Sequence, residues 1–271
     1  MPLVVCPTPI GNLEDVTLRV LREFGEADVV LCEDTRRTRT LLERHGVRAK
    51  LLSYHRHNEA RRVDEILPRL EAGERVALAS DAGLPALNDP GARLISAALA
   101  RGVDVTVLPG PSAIETALVA SGLVGERYAF VGYVPRQSEA RARLWVETAS
   151  WGFPVVAFES PVRLPGTLAS LAAAGPDRPV AVCRELTKRF EEVVRGAASD
   201  VAEHFAEAPK GEVTLVLGPG GGARTGAAPD VGAAAALVAE LADAGVPRRR
   251  AAEIVSRLTG VARNRLYRAS L

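Results

Sequence analysis

The sequence is poor in cysteine and contains no long apolar run. Its three cysteines, Cys6, Cys32 and Cys183, are odd in number and far apart, which argues against a disulfide framework or a zinc site and predicts reduced thiols. No segment reaches the ~18–20 apolar residues of a membrane span, and the N-terminus lacks a charged segment before an apolar one. We therefore expect a cytoplasmic protein with no membrane segment.

Aromatic residues and net charge are also scarce. Aromatics make up 4% of the 271 residues, which disfavours binding of single-stranded nucleic acid by stacking. The net charge of +1 means that a polyanion would have to be bound by a local basic patch. Residues 248–268 provide one, with seven arginines and a single acid, Glu253. Arg249 and Arg265 are our candidates there, because the guanidinium fork suits phosphate.

The first loop lacks the glycines of common nucleotide-binding motifs. An apolar run at Leu3–Cys6, predicted as a buried strand, leads into Pro7-Thr8-Pro9-Ile10-Gly11-Asn12. This segment matches neither G-x-G-x-x-G nor a P-loop.

Strand and helix patterns alternate along the chain and predict an α/β fold with a mostly parallel sheet. Strands are predicted at 28–32, 50–53, 75–79 and 104–108, and helices at 36–45, 58–72 and 91–101. The pattern restarts with helices at 138–149, 161–174 and 200–207 and strands at 154–158, 178–183, 189–195 and 213–217, the last two adjacent. Three helices at 231–244, 248–258 and 262–270 end the chain.

These patterns predict four segments. We expect an N-terminal α/β domain over 1–134, a second α/β domain over 135–218, a glycine-rich flexible linker over 219–230 and a basic helical tail over 231–271. Ser160 before Pro161 is typical of a helix start, and Ser112 with Glu115 forms a potential capping box.

Several loops that follow strands contain unusual residues, and ligands bind at the carboxyl ends of parallel strands. Each loop also has a plain structural explanation: Asp81-Ala82-Gly83 could be an Asx turn, and Glu33-Asp34 could serve only the dipole of a helix. His55 and His57 would point to opposite faces of a strand, so we predict no metal site.

Taken in order, nine segments resemble one known family. They are "PTPIGNLEDVTLR", "CEDTRRT", "SYHRHNE", "SDAGLPALNDPG", "LPGPSAIETALVASGL", "FVGYVPR", "FESPVRL", "CRELTKRFEEVVRG" and "KGEVTLVLGP". The family is the 16S ribosomal RNA cytidine 2′-O-methyltransferases, within the tetrapyrrole-methylase-like class of enzymes that use S-adenosylmethionine (SAM). The resemblance covers about residues 3–217, and the helical tail is similar to the family's C-terminal extension.

The resemblance implies two α/β domains with SAM in a cleft between them, a ribosomal small-subunit substrate and a homodimer. By motif match, the implied SAM contacts are Ile10, Asp81, Leu84, Ser112, Ala113, Phe158 and Glu159. Asp81 would be the polar anchor. Gly83 and Gly110 would let the backbone approach closely where a side chain would clash.

Transfer of a methyl group to a ribose hydroxyl needs a positioned acceptor and a route for its proton. Glu185 and Lys188 are our candidates, the first to accept the proton and the second to lower the pKa of the hydroxyl; a solvated ion pair is the plain alternative. Candidate RNA-binding residues are Glu33, Asp34, Arg36, His55, Asn58 and Arg136, besides Arg249 and Arg265 of the tail.

Two other functions stay open at this point. The same fold and cofactor could serve a tetrapyrrole or another small molecule, although the arginine-rich tail favours RNA. The chain could also be a non-catalytic RNA-binding assembly factor, although several elaborated strand-end loops argue against that.

Overall fold

A computed structural model describes residues 2–220, 231–259 and 261–270. The described residues divide into two compact units, one before and one after the stretch at 221–230. Most of the expected linker, 219–230, therefore lies outside the described residues. Only Pro219 and Gly220 of that segment are described, and both are buried.

The first half of the larger unit is a parallel sheet with helices on both faces, as the alternating pattern predicts. Its strands are β1 (Leu3–Cys6), β2 (Val29–Cys32), β3 (Leu51–Ser53), β4 (Val76–Ala79) and β5 (Val105–Val107), in the order β3-β2-β4-β1-β5. Its helices are α1 (Leu18–Glu26), α2 (Thr35–Arg44), α3 (Glu59–Glu71) and α4 (Ala92–Ala100). The central strands β1, β2 and β4 are buried along their whole length because helices cover both faces.

The second half is built on a mixed sheet. Its elements are α5 (Ala113–Ser121), β6 (Ala129–Tyr133), α6 (Ser138–Ala149), β7 (Val155–Glu159), α7 (Leu164–Ala174), β8 (Pro179–Arg184), β9 (Glu192–Ala197), α8 (Ala198–His204) and β10 (Val213–Leu217). The strand order is β6-β7-β10-β8-β9, and only β6 and β7 run parallel. The prediction that strands 189–195 and 213–217 are neighbours is wrong, because β8 lies between β9 and β10.

The change from one sheet to the other comes before β6. This strand pairs with β7, and α5 packs on the second sheet through Ile114, Ala117 and Leu118. A boundary after Val134 would therefore separate β6 and α5 from the sheet that buries them. The chain crosses between the sheets in the loop Pro109-Gly110-Pro111-Ser112.

Two helix starts differ from the predictions. The helix expected from Pro161 begins at Leu164, because the Ser160 carbonyl accepts hydrogen bonds from both the Arg163 and Leu164 amides and closes an irregular first turn. Ser112 does occupy the N-cap of α5, but its hydroxyl hydrogen-bonds the Glu115 carboxylate rather than a free amide. Neither hydrogen bond of the predicted capping box is therefore seen, and the two side chains bond each other instead.

The smaller unit has the three helices expected from the sequence. They are α9 (Val231–Asp243), α10 (Arg248–Thr259) and α11 (Arg263–Ala269), packed around a small core that includes Val238, Ala252 and Leu266. None of the helices over the described ranges is long and apolar enough to cross a membrane.

Candidate active site between the two sheets

The proline-rich first loop is fixed to the loop after β4. The Thr8 and Gly83 backbones exchange two hydrogen bonds of 2.9 Å, and the Thr8 hydroxyl donates to the Ser80 carbonyl at 3.0 Å. The Ser80 hydroxyl in turn donates to the Gly83 carbonyl at 3.0 Å. Because these polar groups are buried and satisfied by one another, the two loops form one rigid wall.

The same loop also contacts the second sheet. The buried Ile10 side chain packs into the apolar cluster of α5, β7, β8 and β10. The Asn12 amide donates to the Thr187 hydroxyl at 3.0 Å. Gly11 lies so close to the turn after β8 that an added Cβ would be 2.5 Å from Lys188 Cγ and 2.8 Å from the Leu186 carbonyl oxygen. The first loop therefore connects the two sheets.

Loops from both sheets line a cavity of about 490 Å³, which we call the main cavity. Eight of the nine residues predicted to contact SAM line it: Ile10, Asp81, Gly83, Leu84, Ser112, Ala113, Phe158 and Glu159. The ninth, Gly110, lines a smaller depression nearby. Convergence of the strand-end loops, which the sequence only implied, is thus observed.

The two glycines serve different purposes. Gly110 does need the absence of a side chain, since a Cβ there would be 2.5 Å from Pro7 Cγ. The close neighbour is thus the first loop. Gly83 is not crowded; it adopts φ +76°, which disfavours other residues.

Three carboxylates stand around one part of the main cavity. Asp81 accepts a hydrogen bond from the Asp34 amide at 2.9 Å, and its other oxygen is 3.5 Å from the Arg37 guanidinium. Burial and the nearby Glu33 raise the pKa of Asp89 to about 6. Burial and Asp81 likewise raise the pKa of Glu33. This cluster favours a cationic group in the cavity.

Glu159 is fully buried at another part of the wall. Its carboxylate accepts from the Ser160 amide at 2.6 Å and from the Thr167 hydroxyl at 2.5 Å, and it pairs with Arg163. These partners satisfy the carboxylate within the protein. Its contribution to a ligand is therefore mainly to hold the 159–161 turn in place.

Lys188 and Glu185 form a compact charged group with Glu212. The Lys188 ammonium lies 2.8 Å from Glu185 Oε1 and 2.9 Å from Glu212 Oε2, and Glu185 Oε1 also accepts from the Glu212 amide at 2.9 Å. The hydrogen bond from Lys188 lowers the pKa of Glu185. Burial lowers the pKa of Lys188, but its hydrogen bonds to both carboxylates outweigh this effect and the pKa is raised. Glu185 thus stays ionised and bonded to Lys188 and the Glu212 amide.

The other predicted RNA-binding residues are scattered. Glu33 lines the main cavity, whereas Asp34 caps α2 and holds the exposed Arg36 through bonds of 3.0 and 2.7 Å. Asn58 closes a local turn by accepting from the His55 amide at 2.8 Å, so this pair serves structure first.

The predicted arginines are exposed. Arg136 follows β6 on the larger unit. Arg249 and Arg265 lie on the helices of the smaller unit.

Sequence reasoning missed part of the lining. The additional residues of the main cavity are Arg37, Ala82, Leu87, Asn88, Asp89, Ile114, Tyr133, Ser160, Pro161, Gly211, Glu212, Val213 and Thr214. All thirteen lie inside quoted motifs, so the segments that contain them could be found from the sequence. The motifs did not show that β10 runs antiparallel to its neighbours in the sheet. This arrangement brings residues 211–214 beside the first loop. No group of three or more potential ligands for a metal ion occurs within the described part of the chain.

The fold and this site define a class of protein. The family model for tetrapyrrole (corrin/porphyrin) methylases matches residues 2–202. Solved structures of similar fold include the methyltransferase CobJ (19% identity, TM-score 0.62, covering 83% of this chain and 97% of that one). Another is uroporphyrin-III C-methyltransferase from Thermus thermophilus complexed with S-adenosylhomocysteine (20% identity, TM-score 0.56, covering 80% of this chain and 97% of that one). These similarities concern the fold alone.

Relatives found by sequence similarity identify the family within this class. A ribosomal RNA small subunit methyltransferase I from Thermotoga maritima is 42% identical over 79% of this chain and 97% of its own length. The protein of that name from Mesorhizobium japonicum is 40% identical over 99% of this chain and 91% of its own length. The chain therefore belongs to the ribosomal RNA small subunit methyltransferase I family, within the tetrapyrrole methylases.

Proposed function

We propose that this chain transfers a methyl group from SAM to the ribose 2′-hydroxyl of a cytidine in the 16S rRNA of the small ribosomal subunit. The observation that carries the proposal is the convergence of strand-end loops from both sheets on the main cavity. The similarity to the named relatives over nearly the whole chain supplies the substrate class.

The main cavity fits SAM in size, polarity and charge. A volume of about 490 Å³ lies within the range of small-molecule sites, ~300–1,000 Å³. Ile10, Leu84 and Phe158 offer apolar contact, and Asp81 offers a carboxylate for the amino or hydroxyl groups of the cofactor. The acidic cluster suits a sulfonium, and no pyrophosphate has to be bound.

When bound, SAM supplies an electrophilic methyl carbon: the ribose oxygen forms a bond to it while the carbon–sulfur bond breaks, its electron pair stays on sulfur and the hydroxyl proton passes to a base. The chain's main contribution is position, because well-oriented reactants gain ~7–11 kcal/mol. The rigid wall of Thr8, Ser80 and Gly83 provides such a fixed frame.

Of the predicted pair, Lys188 is the stronger candidate. Lys188 lines a cavity adjoining the main one, where its ammonium can stabilise charge that develops on the acceptor oxygen. Glu185 is less suited to accept a proton, because its pKa is lowered and its oxygen is occupied by Lys188 and the Glu212 amide. We therefore assign Glu185 to positioning Lys188.

Radiolabelled SAM tests the proposal directly. The protein is incubated with unmodified small ribosomal subunits, with free 16S rRNA and with uroporphyrinogen, and the 16S rRNA is then digested for mass spectrometry. We expect label in the rRNA on one ribose 2′-oxygen. Label only in uroporphyrinogen would support a small-molecule enzyme instead, and the absence of SAM binding by calorimetry would favour the assembly factor.

Oligomeric state and location are further expectations from the resemblance. We propose a cytoplasmic homodimer, and sedimentation equilibrium at micromolar concentration tests the dimer. A monomer at all concentrations would contradict it without affecting the methyl transfer.

A further inference from the structure

A second cavity of about 340 Å³, which we call the side cavity, adjoins the main one. The two share the residues Ile10, Arg37, Asp81, Ala82 and Glu212, which form a common wall. The rest of its lining is Thr8, Pro9, Gly11, Leu13, Thr38, Thr40, Leu41, Ser80 and Lys188. No predicted cofactor contact lies in the side cavity alone.

The lining of the side cavity combines apolar, cationic and hydroxyl groups with the carboxylates of Asp81 and Glu212, which lie on the shared wall. Pro9, Leu13 and Leu41 form an apolar surface, and Arg37 and Lys188 are cations. Arg37 is two-thirds exposed and lies 3.5 Å from its carboxylate partner, so its remaining donors are available to an anion. The Thr40 hydroxyl donates to the Arg36 carbonyl at 3.1 Å and keeps its lone pairs.

This combination matches one nucleotide: an apolar surface for a base, hydroxyl oxygens for its edge and cations for its phosphate. No aromatic ring occurs among the described residues of the lining, so recognition would rest on shape and hydrogen bonding rather than stacking. A nucleotide in folded RNA reaches a recessed site only after it leaves its stack, at a cost of a few kcal/mol.

We propose that the side cavity receives the acceptor nucleotide, turned out of the folded RNA, with its ribose at the wall shared with the main cavity and Arg37 on its phosphate. The proposal rests on the proposed function, because it locates the acceptor of that same reaction. It also explains why Lys188 faces the side cavity: there it lies on the acceptor's side of the wall.

A matched pair of variants on α2 tests the location. Thr40→Trp places an indole in the side cavity, whereas Arg39→Trp places it on an exposed position that lines neither cavity. SAM affinity is measured by calorimetry, and single-turnover methylation of small subunits is measured at saturating SAM. We expect Thr40→Trp to bind SAM as the unaltered protein does but to methylate at least about tenfold more slowly, which corresponds to ~1.4 kcal/mol. Arg39→Trp should match the unaltered protein in both.

The second pair is Arg37→Ala with Arg39→Ala. Loss of the phosphate contact should raise KM for the subunit several-fold in Arg37→Ala and leave it unchanged in Arg39→Ala. Unchanged methylation by Thr40→Trp would overturn the side cavity as the acceptor site. If Thr40→Trp lost SAM affinity at an unchanged melting temperature, the side cavity would belong to the cofactor, and the proposal would again be overturned. If Thr40→Trp fails to fold, equal KM values in the alanine pair overturn it.

None of these outcomes contradicts the proposed function. The proposed function fails only if the unaltered protein itself does not methylate 16S rRNA.

Discussion

Carboxylates near the two cavities fall into two groups that titrate in opposite directions. Asp34 and Glu185 are held ionised by Arg36 and Lys188, and their pKa values are lowered. Burial and repulsion from neighbouring carboxylates instead raise the pKa values of Glu33 and Asp89. The sequence located Glu33 and the Asn-Asp-Pro-Gly turn but not this contrast, because it depends on side chains that three separate loops bring together.

Asp89→Asn should stabilise the protein at neutral pH. The folded-state pKa of Asp89, about 6, exceeds the usual aspartate value of 3.8, so its ionisation costs stability. That cost is complete above pH ~6 and disappears below pH ~4. Because Asp89 is half-exposed and screened, we expect a gain of about 1 kcal/mol at pH 7.

Urea unfolding of Asp89→Asn at pH 7 and pH 4 measures this gain, with the exposed Asp64→Asn on α3 as control. The gain should shrink toward zero at pH 4. An equal gain in unfolding free energy at both pH values would show that the gain comes from packing and not from ionisation.

Lys188→Ala should slow methyl transfer by at least about tenfold with little effect on SAM affinity, because Lys188 lines the side cavity, where we place the acceptor. Single-turnover rates and calorimetry measure the two effects. Lys210→Ala, which alters an exposed lysine just before β10 that lines neither cavity, is the control. Turnover equal to that of the control would remove Lys188 from the mechanism.

At the scale of elements, the central helices and strands of the first sheet were predictable to within a few residues, because short β-branched runs and glycine helix ends mark them. The helix Ser138–Ala149 was predicted at its observed bounds. The pairing of β10 was not predictable. It inserts between β7 and β8, and order along the chain carries no sign of an antiparallel insertion.

Gly110→Ala should disturb the crossing between the sheets. An added Cβ would lie 2.5 Å from Pro7 Cγ, and a proline ring cannot rotate away. We expect a loss of about 1–3 kcal/mol in unfolding free energy, together with weaker SAM binding.

Thermal unfolding and calorimetry check the effects of Gly110→Ala. Gly152→Ala is the matched control, because a Cβ there meets nothing within 4 Å. If both variants behaved alike, close packing at Gly110 would not matter to the site.

At the scale of the whole molecule, positive charge is concentrated in the tail although the net charge is only +1. Arg249 and Arg265 are both exposed, while Arg248 is engaged with the Ser270 carbonyl at 2.7 Å. The basic tail was predictable because its arginines are close in sequence. Its position relative to the cavities could not be predicted, since the linker composition fixes no geometry.

Replacing Arg249 and Arg265 together by alanine should weaken binding to small subunits and flatten its salt dependence. Each lost phosphate contact lowers the slope of log K against log salt by roughly 0.7–0.9. The double replacement by lysine keeps the charge and should keep most of the slope. Binding measured from 50 to 300 mM salt distinguishes the variants, and identical slopes for all three proteins would argue that the tail does not touch RNA.

The attachments of the first loop limit how far the two sheets can move apart. Residues 8–12 are hydrogen-bonded to the turn after β4, buried in the second sheet through Ile10 and pressed against the turn after β8. A hinge that widened the gap between the sheets would have to break one of these attachments. Entry of ligands is therefore better served by movement of the outer turns, while the proline-stiffened segment keeps the distance between the two halves constant.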